Sequence, residues 1–253
     1  MMETDLVQVH HAFYREDIPF WLSLVEDRDP ILEIGCGHGR VTLPLLESGR
    51  QVIGVDRDQR ALDFLRHCLQ DLAADAQNRA VLILDDILDY QPEGSFAAAL
   101  IPCNTFSTFS PPARKALLEK SAALLKKGGI LAASMPNPET LFEIQTELAG
   151  IGGETDPELE SDFTHPDFGF PVQVSSRWRV EGVTIRWEWI YDLLFPDGTV
   201  ERMVAFTDHY PASRDSLVAE IRAAGFSSVS CLGDFSGAPY RKESPYLVLT
   251  ASR

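Results

Sequence analysis

The chain has 253 residues, 45% of them hydrophobic and 24% charged, with a formal net charge of −16. A chain of this length buries a core without staples. So acidic a surface repels phosphate backbones and anionic lipid alike, which excludes nucleic acid and membrane surfaces as expected partners. Cys36, Cys68, Cys103 and Cys231 form no C-x-x-C pair, no apolar run approaches the roughly 18 residues of a membrane span, and His10 and His11 stand where an export signal would be apolar, so the expected setting is cytoplasmic with reduced thiols.

In chain order, residues 1–29 read as a helical cover whose apolar stripe includes Phe13, Tyr14, Ile18, Phe20, Trp21 and Leu24. Pro19, just after Asp17, suits an early helical position. Residues 30–34 form a first strand and 35–39 a turn with glycines at alternate positions. A helix follows over about 40–47, ended by Ser48-Gly49. Residues 51–56 are a second strand ending on Asp56. Asp58 caps a helix carrying Leu62, Leu65, Leu69 and Leu72 at helical spacing. The unbroken apolar run 80–84 predicts a third strand buried on both faces. Residues 96–101 are a fourth strand, leading into Pro102, Cys103 and Asn104. A helix then carries Leu117, Leu118, Leu124 and Leu125 before a fifth strand at 130–134.

This alternation predicts an α/β fold, a parallel sheet with helices on both faces. Right-handed crossovers place the C-terminal ends of its parallel strands on one edge. Gly35 to Gly39, Asp56, Asp85 to Ile87 and Asn104 all fall at such ends, and their convergence is the main pointer to a site. The pattern then changes. Residues 150–170 read as an acidic loop and 172–208 as antiparallel strands, with Glu181-Gly182 and Pro196-Asp197-Gly198 as hairpin turns. A helix at 213–224 and strands at 226–231 and 246–251 complete the first sheet. The expected organisation is therefore a main domain of residues 1–135 and 211–253 with an inserted antiparallel β lid at 136–210.

The glycine turn allows backbone to approach a ligand with no Cβ in the way, beside the unpaired N–H groups of a helix start. Asp56, at the end of the neighbouring strand, is suited to accept hydrogen bonds from a ribose diol, and Asp86 to accept from an exocyclic amine with Ile87 packed on the ring. A solvated turn aspartate and a helix cap are the structural alternatives for the two acids. Arg177, Trp178, Arg179, Trp187, Trp189 and Tyr191 form either an aromatic substrate wall or the insertion's own core. Tyr14, His165 and His209 are the titratable candidates for a proton acceptor, of which Tyr14 and His209 are taken as candidate catalytic residues. No metal site is expected, because His10 and His11 lack partner ligands at useful spacing.

Taken together, E-I-G-C-G-H-G-R, V-I-G-V-D, L-D-D-I and P-C-N-T-F resemble the class I S-adenosylmethionine-dependent methyltransferases, over residues 30–135 and again in the last helix and two strands. The resemblance implies a three-layer Rossmann-like sheet of seven strands, the last antiparallel. The inserted antiparallel sheet is similar to that of small-molecule enzymes such as the glycine and amino-sugar N-methyltransferases, in which it helps cover the substrate. It implies S-adenosyl-L-methionine as cofactor, with Glu33, Gly35, Cys36, Gly37 and Gly39 around the methionine part, Asp56 on the ribose and Asp86 with Ile87 at the adenine. Arg40, Arg57, Pro102 and Asn104 complete the candidate cofactor-binding set. The expected partner is a small-molecule methyl acceptor, methylated at N or O, and a homodimer through the β lid is a further expectation. His38 departs from the small hydroxyl residue frequent at its position. A nicotinamide oxidoreductase fits less well, because Arg40 stands where G-x-G-x-x-G requires its last glycine. A non-catalytic S-adenosylmethionine-binding regulatory protein is the other alternative.

Overall fold

Successive side chains on a strand point to opposite faces, and the central strands here are apolar at almost every position, so both faces require cover. From β1 (Ile31–Ile34), β4 (Phe96–Ile101) and β5 (Leu125–Pro136), side chains such as Leu32, Ile101 and Leu131 enter one apolar cluster with α6 (Pro111–Leu124) and α8 (Arg214–Ala223). Their neighbours Ile31, Leu100 and Ile130 enter a second cluster, with Trp21 of α2 (Ile18–Leu24) and Leu45 and Leu46 of α3 (Thr42–Glu47). The outcome is helix, sheet, helix in three layers. The computed structural model describes residues 5–148 and 153–253. Residues 1–4 of the expected N-terminal cover and residues 149–152 lie outside the described residues.

The sheet also contains β2 (Val52–Asp56), β3 (Ala80–Leu84), β10 (Ser228–Leu232) and β11 (Tyr246–Ser252), in the order β10-β11-β5-β4-β1-β2-β3. β3, β2, β1, β4 and β5 pair in parallel, and β11 runs antiparallel between β5 and β10. This is the seven-stranded sheet expected from the sequence. α4 (Gln59–Leu69) and α5 (Ala74–Gln77) lie between β2 and β3 in the chain, and the Asp58 carboxylate caps α4 by accepting from the N–H groups of Arg60 and Ala61. One expectation fails. β3 is not buried on both faces: Val81 is 42% and Leu84 47% exposed. Its place in the sheet explains this, since an edge strand is flanked on one side only.

These elements belong to one compact unit, Glu16–Glu139 with Ala212–Arg253; the other is Met1–Arg15 with Thr140–Pro211. α7 (Pro138–Leu148) is a helix in a stretch for which the sequence predicted no helix. The second unit holds a four-stranded antiparallel sheet in the order β6-β7-β8-β9, made of β6 (Glu158–Thr164), β7 (Pro171–Glu181), β8 (Thr184–Leu194) and β9 (Val200–His209). Gly182 and Gly198 make its predicted turns at φ +63° and +86°. Trp189 and Tyr191 pack with Phe163, Val172, Val174 and Leu6 of α1 (Leu6–Ala12), so this aromatic pair belongs to the unit's own core. Arg177 donates to the buried carboxylate of Glu188 at 2.6 Å. β6 corrects the expected loop at 150–170. Of its seven residues only Phe163 is buried, so its own sequence carries almost no apolar pattern, and its pairing with β7 defines it.

Arg114 is 2% exposed, and its guanidinium donates to both carboxylate oxygens of Glu220 at 2.7 and 3.0 Å, joining α6 to α8. Glu220→Ala leaves that cation buried without its partner. The expected loss is about 2–3 kcal/mol, below the roughly 3–5 of a wholly buried pair because Glu220 retains some solvent. Urea denaturation of the two proteins measures it.

Candidate functional site

At the C-terminal edge of the parallel strands, Gly35, Asp56, Arg57, Asp86 and Ile87 line one cleft, joined by Thr105 and Phe109 from the segment after β4. The backbone leaves β1 through Gly35, Gly37 and Gly39 at φ +73°, +50° and +87°, the left-handed region that side chains make costly. Gly35 N–H donates to the Val55 carbonyl at 2.8 Å, which ties the turn to β2. The three glycines differ in what excludes a side chain. A Cβ on Gly35 would meet Thr105 Cγ2 at 2.8 Å, and one on Gly39 would collide with the Leu65 side chain of α4. Helix packing therefore also requires a glycine at position 39. A Cβ on Gly37 would have nothing nearer than Asp56 Oδ2 at 3.9 Å.

Gly37 N–H donates to Asp56 Oδ2 at 2.7 Å, and Asp58 N–H donates to Asp56 Oδ1 at 2.9 Å. Each carboxylate oxygen is oriented by one backbone donor, and each retains capacity to accept a second. Asp86 Oδ1 accepts from Leu88 N–H at 2.9 Å, and Arg57 Nη1 stands 3.4 Å from Asp86 Oδ2 on a largely exposed side chain. Ile87 is buried in the apolar cluster shared with α6 and α8.

The other predicted residues are not among those lining the cleft. Glu33 is 1% exposed and accepts from Thr42 Oγ1 at 2.6 Å. Burial pushes its carboxyl up to about 8, against the Thr42 hydrogen bond and the Arg40 charge, which act downward. Cys36 is buried against Gly54, whose Cβ would lie 2.8 Å from its Sγ, and burial raises its thiol well above the usual range. Arg40 is engaged by Asp17 in a two-pronged ion pair. Pro102 is buried, and Asn104 stands at φ +64° beside Cys103 at +58°.

Tyr14 and His209 belong to the unit Met1–Arg15 with Thr140–Pro211 and are not among the residues lining the cleft. His209 is 1% exposed beside the Trp178 ring, and burial pushes it down to about 4, opposed by Asp208. Thr105, Thr108 and Phe109 line the cleft but were missed. P-C-N-T-F marked the end of the fourth strand, yet nothing in a threonine or phenylalanine itself announces a cleft wall. In the sequence Asp17 presents itself only as a helix-start residue.

Residues 31–129 match the family model of the methyltransferase domain. The chain is 24% identical over 240 residues to the cypemycin N-terminal methyltransferase of a Streptomyces species, covering 92% of this chain and 87% of that one. It is 29% identical over 100 residues to a probable ribosomal RNA small subunit methyltransferase A of Methanosphaera stadtmanae; that match covers 37% of this chain and spans only 36% of the relative's length. Among solved structures, it is similar to the S-adenosylmethionine-bound amino pentose methyltransferase CalS10 of Micromonospora echinaspora, with a TM-score of 0.73, 17% identity, and coverage of 100% of this chain and 98% of that one. At that identity the likeness is one of fold.

Glu33 gives a pH test. The folded state holds its proton to about 8, and the unfolded state releases it near 4.5. Between these values the unfolded state binds fewer protons, so the Glu33 contribution to stability falls as pH rises and then levels off. Glu33→Gln removes that component. Thermal melts across pH 4–9 are expected to show the variant gaining on the wild type toward alkaline pH.

Proposed function

We propose that this chain, which carries a methyltransferase domain over residues 31–129, transfers a methyl group from S-adenosyl-L-methionine to N or O of a small-molecule acceptor by in-line displacement. The observation that carries the reading is the Asp56 carboxylate, aimed by Gly37 N–H at 2.7 Å and Asp58 N–H at 2.9 Å in a cleft that also holds Asp86 and Ile87. Each Asp56 oxygen has one acceptor position for one hydroxyl of a ribose diol. Asp86 suits an exocyclic amine, and Ile87 offers an apolar surface to a base. Gly37 brings backbone to the same place with no side chain to obstruct it.

Once bound, the donor supplies a methyl group already activated on a sulfonium. The contribution of the chain is position: two acids and a glycine turn hold the donor so that a nucleophile meets it in line, which replaces a bimolecular encounter by an oriented one. An amine acceptor must arrive neutral, and a hydroxyl benefits from a base. Tyr14 and His209 are our candidate proton acceptors. Burial leaves His209 a neutral imidazole at pH 7, able to accept a proton but weakly basic.

A small acceptor is supported by the acidic surface and by the whole-chain similarity to enzymes named for the cypemycin N-terminus and for an amino pentose. We assign acceptor selection to the inserted unit. Its strand β9 pairs on one side only among the described residues, and the unpaired ladder groups support homodimer formation there.

Charge-assisted hydrogen bonds contribute roughly 1.5–3 kcal/mol each. Asp56→Ala is therefore expected to weaken binding of S-adenosylmethionine and S-adenosylhomocysteine by about tenfold or more in titration calorimetry, with NAD(H) giving no heat on either protein. Failure of the wild type to bind both adenosyl ligands sinks the proposal, and tight NAD(H) binding turns it toward an oxidoreductase.

A further inference from the structure

Arg40 stands at the exit of the glycine turn. Its Nη1 donates to Asp17 Oδ1 at 2.6 Å and its Nη2 to Asp17 Oδ2 at 2.7 Å, a parallel fork. Nη2 also reaches Cys103 Sγ at 2.8 Å. Asp17 is 1% exposed, and its Oδ2 accepts a further hydrogen bond from Trp21 Nε1 at 2.8 Å. Trp21 is itself wholly buried, with Phe20 and Phe235 packed on its ring. The carboxylate is thus held on a rigid part of the core by three donors, two of them from one guanidinium. All of these residues lie within the unit Glu16–Glu139 with Ala212–Arg253.

A buried ion pair gains little stability over an apolar pair of the same volume. What a two-pronged guanidinium gives is direction, because both N–H vectors are set by one plane. Here that plane joins three segments: the start of α2, the exit of the glycine turn and the turn after β4. The last contains Cys103 and Asn104 at φ +58° and +64°. Two successive non-glycine residues in that region are strained and persist only where their surroundings over-determine them. The Arg40 to Cys103 contact is one such restraint.

We propose that Asp17 is a positioning residue: through Arg40 it sets the exit of the glycine turn and the turn after β4 for the amino-acid end of the methyl donor. This rests on the donor reading above and extends it to a residue that no ligand need touch. Arg40 serves the donor through the geometry of the turn. Asp17→Asn keeps the shape and an acceptor for the indole but loses the charge and one prong of the fork.

Two probes separate positioning from general structural damage: S-adenosylhomocysteine, and 5′-methylthioadenosine, which lacks the amino-acid end. In calorimetry, Asp17→Asn is expected to weaken S-adenosylhomocysteine at least tenfold and 5′-methylthioadenosine less than threefold. Trp21→Phe, which removes the indole donor from Asp17 and leaves a smaller aromatic ring in that buried place, is expected to weaken the first ligand two- to fivefold and leave the second unchanged. It carries the same comparison if Asp17→Asn does not fold. Equal losses for both ligands, or unchanged S-adenosylhomocysteine binding, overturn the positioning role. Failure of the wild type to bind S-adenosylhomocysteine overturns the donor reading itself, a separate outcome visible before any variant is made.

Discussion

The hydrogen bond from Gly37 N–H to Asp56 Oδ2, 2.7 Å long, joins the chain just beyond β1 to the end of β2, and the cleft is built around it. It exists because of register. Ile34 pairs with Val55, so the residues that leave the two strands emerge side by side at one edge. Gly37 makes it from a backbone at φ +50°. A side chain there would be conformationally strained. The second carboxylate oxygen is fixed from the other direction by Asp58 N–H, and Asp58 in turn caps α4. One acid is thereby tied to a turn, a strand and a helix start.

Beneath this edge, among the described residues, the unit's buried ionisable side chains Glu33, Asp17 and Arg114 each have a polar partner. Glu33 lies under the glycine turn against Thr42, Asp17 takes Arg40 and Trp21, and Arg114 takes Glu220. Two of these groups act on the turn: Thr42 begins α3 just after it and Arg40 ends it. The geometry of the glycine turn's backbone is thus set by interior polar contacts. Such contacts are specific in direction where apolar packing is not.

The second unit follows different rules. Its sheet is antiparallel, and one face of β8 supplies Trp189 and Tyr191 to a core shared with α1, where His10 Nδ1 lies 3.2 Å from Tyr191 Oη. Aromatic residues that would suit a substrate wall are here spent on internal packing. Composition alone does not separate these uses, because a tryptophan on an alternating strand is equally apt for either.

What the sequence determined by itself was local. Glycines at alternate positions between a β-branched run and a helix specify a left-handed turn, since φ above zero is a property of single residues. Period two and period 3.6 specify the order of strands and helices, and with right-handed crossovers this places Asp56, Asp86 and Asn104 at one edge. What only the tertiary structure decided was who stands next to whom. β3 is apolar throughout yet half exposed, because sheet order makes it an edge. β6 is polar yet a strand, because β7 offers it a ladder. Gly39 is required by Leu65, which comes from α4, and Arg40 is held by Asp17, which precedes α2. Such pairings connect residues distant in the chain, and no periodicity records them, because a hydrogen bond or a van der Waals contact depends on distance in space alone.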